Sequence, residues 1–236
     1  MKNFWSFTGN DKFNIGCTGS TVYIYDKNNK ELAKFKDINY AYSSLISPDG
    51  DILTIKSTDG KLAIYSLETM SLIKKFRFSK VDGCQDENSV FSADGKLFYN
   101  IEHHGDSCKT ALSIYNTESF ELKKMLFADN HLMVLTAIER EEKSGQIFLL
   151  GYFRDEKTGV AAKFFVGQLI DEEIEELRYI SQSEHMFYQA YKLLEMDGFT
   201  EKAKEWSYFK YFKYDIDKIQ EQGHSLAKLW TSINNK

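Results

Sequence analysis

The most constraining feature of this sequence is a motif that recurs four times between residues 4 and 180. Each copy has a short hydrophobic strand that ends in an aromatic residue, then a polar turn and a segment of the form apolar–x–x–apolar. The Ile-Tyr pairs ending at Tyr25, Tyr65 and Tyr115 lie 40 and then 50 residues apart, and Lys163–Val166 forms a weaker fourth copy. Repetition at this period indicates a repeat architecture.

Each copy divides into four strand-length segments separated by turn residues. Pro48-Asp49-Gly50 and Asp59-Gly60 are such turns, because Asp caps its own backbone and Gly accepts a positive φ. The predicted strands are 4–7, 13–17, 22–25 and 32–35; 40–47, 52–56, 62–65 and 72–78; 89–92, 97–101, 111–115 and 122–127; and 132–138, 147–152, 161–166 and 174–180. Four-stranded units of ~40–50 residues suit propeller blades. The predicted fold class is therefore mainly β, a β-propeller-like array of about four four-stranded blades followed by an α-helical C-terminal region.

Ser47-Pro48-Asp49-Gly50, the strand after it and the segment Ser57–Ser66 resemble a blade of a WD-repeat or related bacterial β-propeller protein. Tyr25-Asp26, Tyr65-Ser66 and Tyr115-Asn116 stand where that family often has Trp-Asp. The resemblance covers about residues 4–180 and implies four antiparallel sheets arranged radially.

The hydrophobic period changes after Ser181 from two residues towards 3.6. Phe187, Tyr191 and Leu194 are spaced i, i+4, i+7, which indicates a helix that Asp197-Gly198 ends. Thr200 is a good N-cap for a second helix. These signals predict helices only after about residue 181.

The remaining C-terminal sequence predicts a last helix over about Ile216–Ile233, whereas the aromatic run 206–214 fits either a helix or a strand. The predicted domains are a β-propeller-like repeat domain, 1–180, and a helical extension, 181–236, packed on the blades or at a dimer interface. Because four blades close into a ring only tightly, we expect either the helices or a second copy to cover an exposed blade face.

Charge and composition narrow the classes of function. The net charge of −5 argues against a general nucleic-acid binder, because phosphate contacts need a concentrated basic surface. No window approaches the ~20 apolar residues of a membrane helix, and the N-terminus shows no signal peptide. Three widely spaced cysteines, Cys17, Cys84 and Cys108, do not predict a disulfide framework. We therefore expect a cytoplasmic protein that binds neither nucleic acid nor membrane.

The densest group of potential metal ligands is Glu102–Cys108, with two histidines, Asp106 and Cys108. A polar loop is the favoured interpretation, because no second cluster at ligand spacing supplies the remaining donors. Asp26–Glu31 lacks the Gly and the distal Glu of an EF-hand loop and is interpreted as a turn. Phosphate-binding and hydrolase motifs are missing from the sequence. No catalytic residue, metal ligand or cofactor is therefore assigned.

Loop length points to one end of the blades as the working surface. In WD-like blades, the loops joining second to third strands and those joining successive blades lie on one face. Three long connections fall there, 79–88, 102–110 and 154–159. Long loops on one face of a rigid scaffold often carry function. The predicted partner-binding residues are Asp82, Asp86, Glu87, His103, His104, Asp106, Arg154 and Asp155.

Three classes of function remain open from the sequence. The first is a non-enzymatic protein–protein interaction module, in a specific version an antidote (immunity-type) protein for a basic toxin. The second is an enzyme, a hydrolase or lyase, with its site at the central opening of the propeller. The third is a self-assembling structural protein, and a homodimer is one of the partners considered. An enzyme is less favoured than a binding module because no catalytic motif is found.

Overall fold

The computed structural model describes residue 4 and residues 6–77, 89–104, 109–170, 172–196, 198–206 and 216–233. Its contacts divide the chain into two compact units, Met1–His131 and Leu132–Lys236. Each unit is described by itself below. The boundary proposed at residue 180 from the sequence stays a prediction.

The described residues form four antiparallel sheets, each with its four strands in chain order. The first sheet has β1 Ser6–Gly9, β2 Phe13–Cys17, β3 Val22–Asp26 and β4 Glu31–Phe35, and the second has β5 Ala41–Ile46, β6 Ile52–Ser57, β7 Lys61–Ser66 and β8 Ser71–Arg77. The third has β9 Ser89–Phe91, β10 Leu97–His104, β11 Lys109–Asn116 and β12 Leu122–Leu126, and the fourth has β13 Met133–Arg140, β14 Ile147–Arg154, β15 Ala161–Ile170 and β16 Glu173–Ile180. The predicted four-stranded units are confirmed.

The turns follow from the Ser-x-Asp-Gly sequences. In the second sheet, Ser47 Oγ donates to Asp49 Oδ1 at 2.5 Å and accepts from Ile52 N at 2.9 Å, while Gly50 has a φ of 83°. Ser92-Ala93-Asp94-Gly95 repeats this geometry in the third sheet. Because the side chains satisfy the turn backbone themselves, the fixed φ of Pro48 is not required for the fold of the turn.

Alternate strand residues build two cores in the first unit. Ile15, Ile24 and Leu53 belong to a cluster that joins the first and second sheets, and Leu62 and Phe98 belong to one that joins the second and third. The second sheet is therefore apolar on both faces, as the period-two pattern of a propeller blade requires.

The C-terminal helices are α1 Gln182–Met196, α2 Glu201–Trp206, α3 Ile216–Gln222 and α4 Leu226–Ile233. Thr200 caps α2, since its Oγ1 accepts from Ala203 N at 3.1 Å. The single helix predicted over 216–233 is wrong. Gly223 adopts a φ of 63° and ends α3, and α4 begins three residues later. Residues 207–215, which include most of the ambiguous aromatic run, lie outside the described residues.

Helices α1 and α4 pack on one face of the fourth sheet. Phe148, Leu150 and Val166 from the sheet meet Tyr188 and Trp230 from the helices in a single buried cluster. The Arg178 guanidinium on β16 lies 3.6 Å from the Trp230 ring centroid and donates to the Trp230 carbonyl at 3.2 Å. Burial and this cation–π contact hold α4 against the sheet. Among the described helices, none is both long enough and apolar enough to cross a membrane.

Candidate interaction surfaces

The face predicted from loop length is only partly described. Asp82, Asp86, Glu87 and Asp106 lie outside the described residues, and so does Cys108. His103, His104, Arg154 and Asp155 lie within them, the first two in the first unit and the others in the second. Their role in binding stays a prediction.

The predicted 102–110 connection is shorter than expected. Strand β10 continues to His104 and β11 begins at Lys109, with His103 paired to Thr110 and His104 to Lys109. Backbone pairing does not depend on the polarity of the side chains, so polar residues continue the hairpin until the chain must turn. The prediction that His103 and His104 lie in a long loop is therefore wrong, and both lie at the end of a strand.

Asp155 shapes its own turn. Its Oδ1 accepts from Thr158 N at 2.8 Å, Thr158 Oγ1 at 2.9 Å and Lys157 N at 3.1 Å. These hydrogen bonds, those from Thr158 first, hold the pKa of the carboxyl below its usual range. Arg154 is the last residue of β14, and its backbone N donates to Leu132 O at 2.8 Å. The local bonds of Asp155 thus have a folding role, whether or not a partner also contacts it.

A cleft of about 530 Å³ opens at the end of the first two sheets where the second strand of each sheet turns into the third. It is lined by the β2–β3 turn, the connection between the sheets and the β6–β7 turn: Thr18, Gly19, Ser20, Asn39, Tyr40, Ala41, Tyr42 and Thr58. Two backbone bonds fix its walls, from Ala41 N to Gly19 O at 2.8 Å and from Thr58 N to Tyr40 O at 3.0 Å. All eight lining residues are uncharged at neutral pH.

Tyr40 is the unusual residue of this cleft. Its backbone has a φ of 55°, in the left-handed region that costs a non-glycine residue ~1 kcal/mol or more. Its side chain is 65% exposed, so little packing offsets that cost. Sequence analysis did not single out Tyr40, because a left-handed residue just before a strand has no sequence signature when it is not Gly or Asn.

The ionisable groups buried in the first unit are bonded within the fold. Lys56 Nζ donates to Ile101 O at 2.7 Å. Glu102 Oε1 accepts from Tyr115 Oη at 2.5 Å and from Asn100 Nδ2 at 3.2 Å. Burial raises the pKa of Glu102, and hydrogen bonds and the Lys56 charge oppose that rise. The Lys56 bond joins the second sheet to the third, and the two Glu102 bonds lie within the third sheet. Across the described residues, no group of three or more His, Cys, Asp and Glu could hold a metal ion.

The comparisons with known proteins relate the chain to others by fold. No family model matches the sequence, and no curated protein matches it either. Hydrazine synthase of Kuenenia stuttgartiensis has a similar structure with a TM-score of 0.60 and 14% identity over 77% of this chain and 50% of that one. The WD40 domain of Toxoplasma gondii coronin has a TM-score of 0.56 and 16% identity over 75% of this chain and 45% of that one.

The chain thus spans about half the length of the solved structures it matches. The likeness at 14–16% identity shows a shared fold, and the predicted fold class is confirmed. The chain is a β-propeller-like array of four-stranded blades followed by C-terminal helices.

Proposed function

We propose that this protein is a non-enzymatic interaction module that binds a partner protein at the cleft beside Tyr40. The observation that carries the proposal is the exposed ring of Tyr40 on a strained backbone. Strain that the packing of the side chain does not offset is a reason to look for a binding role. Tyrosine is also enriched among the residues that dominate protein interfaces, because it supplies a large rigid ring at low entropic cost.

The lining of the cleft indicates what kind of partner segment would enter it. Thr18, Ser20 and Asn39, which carry hydroxyl and amide groups, line the cleft together with Tyr40, and no charged residue lines it. An extended segment that places an uncharged side chain against Tyr40 fits this chemistry. The net charge of −5 would steer a basic partner towards the chain, which is the basis of the antidote version of the proposal.

The test uses a partner captured from the native host and then purified, so that its affinity for each variant is measured by calorimetry. Tyr40→Ala should weaken binding about ten-fold or more, as expected for an interface hot spot. Tyr179→Ala is the matched control, because Tyr179 is also a tyrosine and is 60% exposed, but it lies on β16 of the other unit. Equal affinities of Tyr40→Ala and the wild type would refute the proposed site.

The antidote version has a separate electrostatic test. Replacing Asp82, Asp86 and Glu87 together with Ala should slow association with a basic partner several-fold at low salt, and added salt should shrink the difference. The control replaces Glu68, Glu118 and Glu121, three exposed acids in the turns at the opposite end of the second and third sheets. Equal slowing by both triple variants would mean that only the overall charge matters.

A further inference from the structure

The walls of the cleft beside Tyr40 do not suit one common way of binding an extended segment, the addition of a strand to a sheet. Strand addition needs backbone donors and acceptors that are not already paired. In the cleft, Gly19 and Ala41 pair with each other as an antiparallel bridge, and Thr58 N donates to Tyr40 O at 3.0 Å. These backbone groups are already used, so recognition depends on the side chains.

The side chains of the cleft disfavour two further kinds of segment. Phosphorylated and acidic motifs are held by arginine or lysine side chains, and the lining residues are uncharged. An amphipathic helix is ~10 Å across and needs a long apolar groove. Here hydroxyl and amide side chains interrupt any apolar surface: Thr18, Ser20, Asn39 and Thr58. An extended, uncharged segment that is held by side chains remains.

The two tyrosines of the cleft lie at irregularities of the backbone. Tyr40 has a left-handed conformation just before β5. The register of β5 on β6 shifts between Ala41 and Ser43, which makes Tyr42 the extra residue of a β-bulge. A bulge changes the direction of the side chain it carries. The connection from the first sheet to the second therefore presents two aromatic side chains to one cleft.

Hydrogen-bond donors accompany these rings. Ser20 and Asn39 are exposed, and their side chains are not bonded to other described residues. A hydroxyl and an amide NH2 can each donate to a carbonyl oxygen. A proline-rich segment offers carbonyl oxygens without N–H donors, because proline lacks the N–H and the polyproline II helix has no internal hydrogen bonds. Its pyrrolidine rings pack on aromatic side chains.

We infer that the cleft binds a proline-rich segment in the polyproline II conformation, with a pyrrolidine ring on Tyr40 and carbonyl oxygens bonded by Ser20 and Asn39. The inference deepens the proposed function and rests on it, since the segment belongs to the partner protein. The 236 residues contain one proline, Pro48, which lies in a turn, so they cannot supply such a segment. A polyproline II helix is formed before binding, which lowers the entropic cost of association.

Calorimetry of the full chain with decaproline, blocked at both ends to remove charge, tests the inference. Decaproline should bind, and a blocked Gly-Ser peptide of the same length should not, because it is a flexible coil. Tyr40→Ala should weaken decaproline binding about ten-fold or more, whereas Tyr40→Phe keeps the ring and should bind like the wild type. Tyr179→Ala, at an exposed tyrosine of β16, is the matched control and should also bind like the wild type.

Three results would overturn the inference: no decaproline binding at millimolar concentration, equal binding of the two peptides, or equal binding by Tyr40→Ala and the wild type. The donors have their own test. Asn39→Ala should weaken decaproline binding several-fold, and Asn28→Ala should not, because Asn28 is exposed in the β3–β4 turn at the opposite end of the first sheet. Equal effects of the two variants would contradict the role of Asn39.

The purified partner separates this inference from the proposed function. Decaproline should compete with the partner for the cleft. If decaproline does not bind while Tyr40→Ala weakens partner binding, the proline-rich segment is wrong and the proposed site stands. If Tyr40→Ala leaves partner binding unchanged, the proposed site itself is wrong.

Discussion

Two residues have the same strained backbone conformation, but only one of them has a side chain that stabilises the fold. Tyr40 and Phe120 have similar positive φ values, 55° and 50°. Phe120 is 2% exposed and belongs to the core between the second and third sheets, whereas Tyr40 is exposed. The same strain is therefore offset by burial at Phe120 and not at Tyr40.

The first prediction follows from that contrast. Tyr40→Gly should raise the free energy of unfolding by ~1 kcal/mol, because Gly adopts this φ without strain, although its greater entropy in the unfolded chain reduces the gain. Phe120→Gly should lower it by roughly 2–4 kcal/mol, because the core loses a buried ring. Urea denaturation of both variants checks this. A destabilised Tyr40→Gly protein would show that the ring contributes to folding after all.

Glu139 is a second residue whose role depends on its contacts. Its Oε2 accepts from Tyr188 Oη at 2.7 Å and from Leu226 N, at the start of α4, at 3.0 Å. Lys192 Nζ lies 3.8 Å from the same oxygen. Glu139 thus links both covering helices to β13.

We expect Glu139→Ala to lower the free energy of unfolding by ~2–3 kcal/mol, because two donors lose a charged acceptor in a partly buried site. Glu142→Ala, three residues along the chain and exposed, should change it by less than ~0.5 kcal/mol. Thermal and urea unfolding of the two variants measure the difference. Similar stabilities would mean that water replaces the Glu139 contacts without loss.

At the scale of elements, the outer strands protect open sheet edges with lysine. Lys74 and Lys75 on β8, and Lys123 and Lys124 on β12, lie on strands that pair on one side only. Lys74 Nζ donates to Phe120 O at 2.9 Å, which links the second sheet to a turn of the third. The lysines thus discourage pairing with another chain and also join neighbouring sheets.

The helices on the fourth sheet enclose two histidines that stay neutral. Burial lowers the pKa of His185 to about 4, and its Nε2 lies 3.0 Å from Thr136 Oγ1. Burial, with smaller effects of Lys192 and Lys228, lowers the pKa of His224 to about 4. The Nε2 of His224 is buried and has no hydrogen-bond partner among the described residues. Its ring lies 4.8 Å from that of Phe187.

These pKa values predict a pH dependence of stability. The folded-state pKa lies below the unfolded value of 6.5, so the unfolded chain binds more protons between pH 6.5 and 4. The free energy of unfolding should be at its full value above pH 6.5 and should fall as the pH drops towards 4. His224→Phe should reduce this slope by close to one proton and leave stability at pH 7 equal or higher.

The control for the histidine prediction is His131→Phe, since His131 is exposed and outside the helical region. The raised pKa of Glu102 acts in the opposite direction, but it is common to every variant and cancels in the comparison. Urea unfolding between pH 4 and 7 measures the slopes. Equal slopes for His224→Phe and the wild type would contradict the prediction.

The sequence predicts elements well where local chemistry decides them. Ser-x-Asp-Gly turns, the Thr200 cap and the period-two strands all form as predicted, since each depends on neighbours in the chain. The length of a hairpin such as that of β10 and β11 depends on backbone pairing, and the polarity of the side chains does not predict where that pairing ends. The cleft beside Tyr40 combines three connections distant in sequence, so no local pattern could identify it.

For the molecule as a whole, the apolar faces of the sheets determine which elements must remain packed together. Phe148, Leu150 and Val166 form the face of the fourth sheet that α1 and α4 cover. A soluble protein rarely leaves such a face bare, because contiguous apolar surface promotes association. The helices therefore act as the cover of the last sheet, the role that a capping repeat has in other repeat proteins.

The last prediction is that removing residues 181–236 exposes this face and causes the remaining chain to aggregate or unfold. Adding a separate 181–236 segment should restore solubility in part, because the same contacts can form between chains. Phe7→Lys in the truncated chain should not prevent aggregation, since the newly exposed face is on the fourth sheet and not the first. Light scattering and thermal unfolding of these proteins measure the effect. A truncated chain with unchanged association state and melting temperature would show that the first 180 residues need no cover.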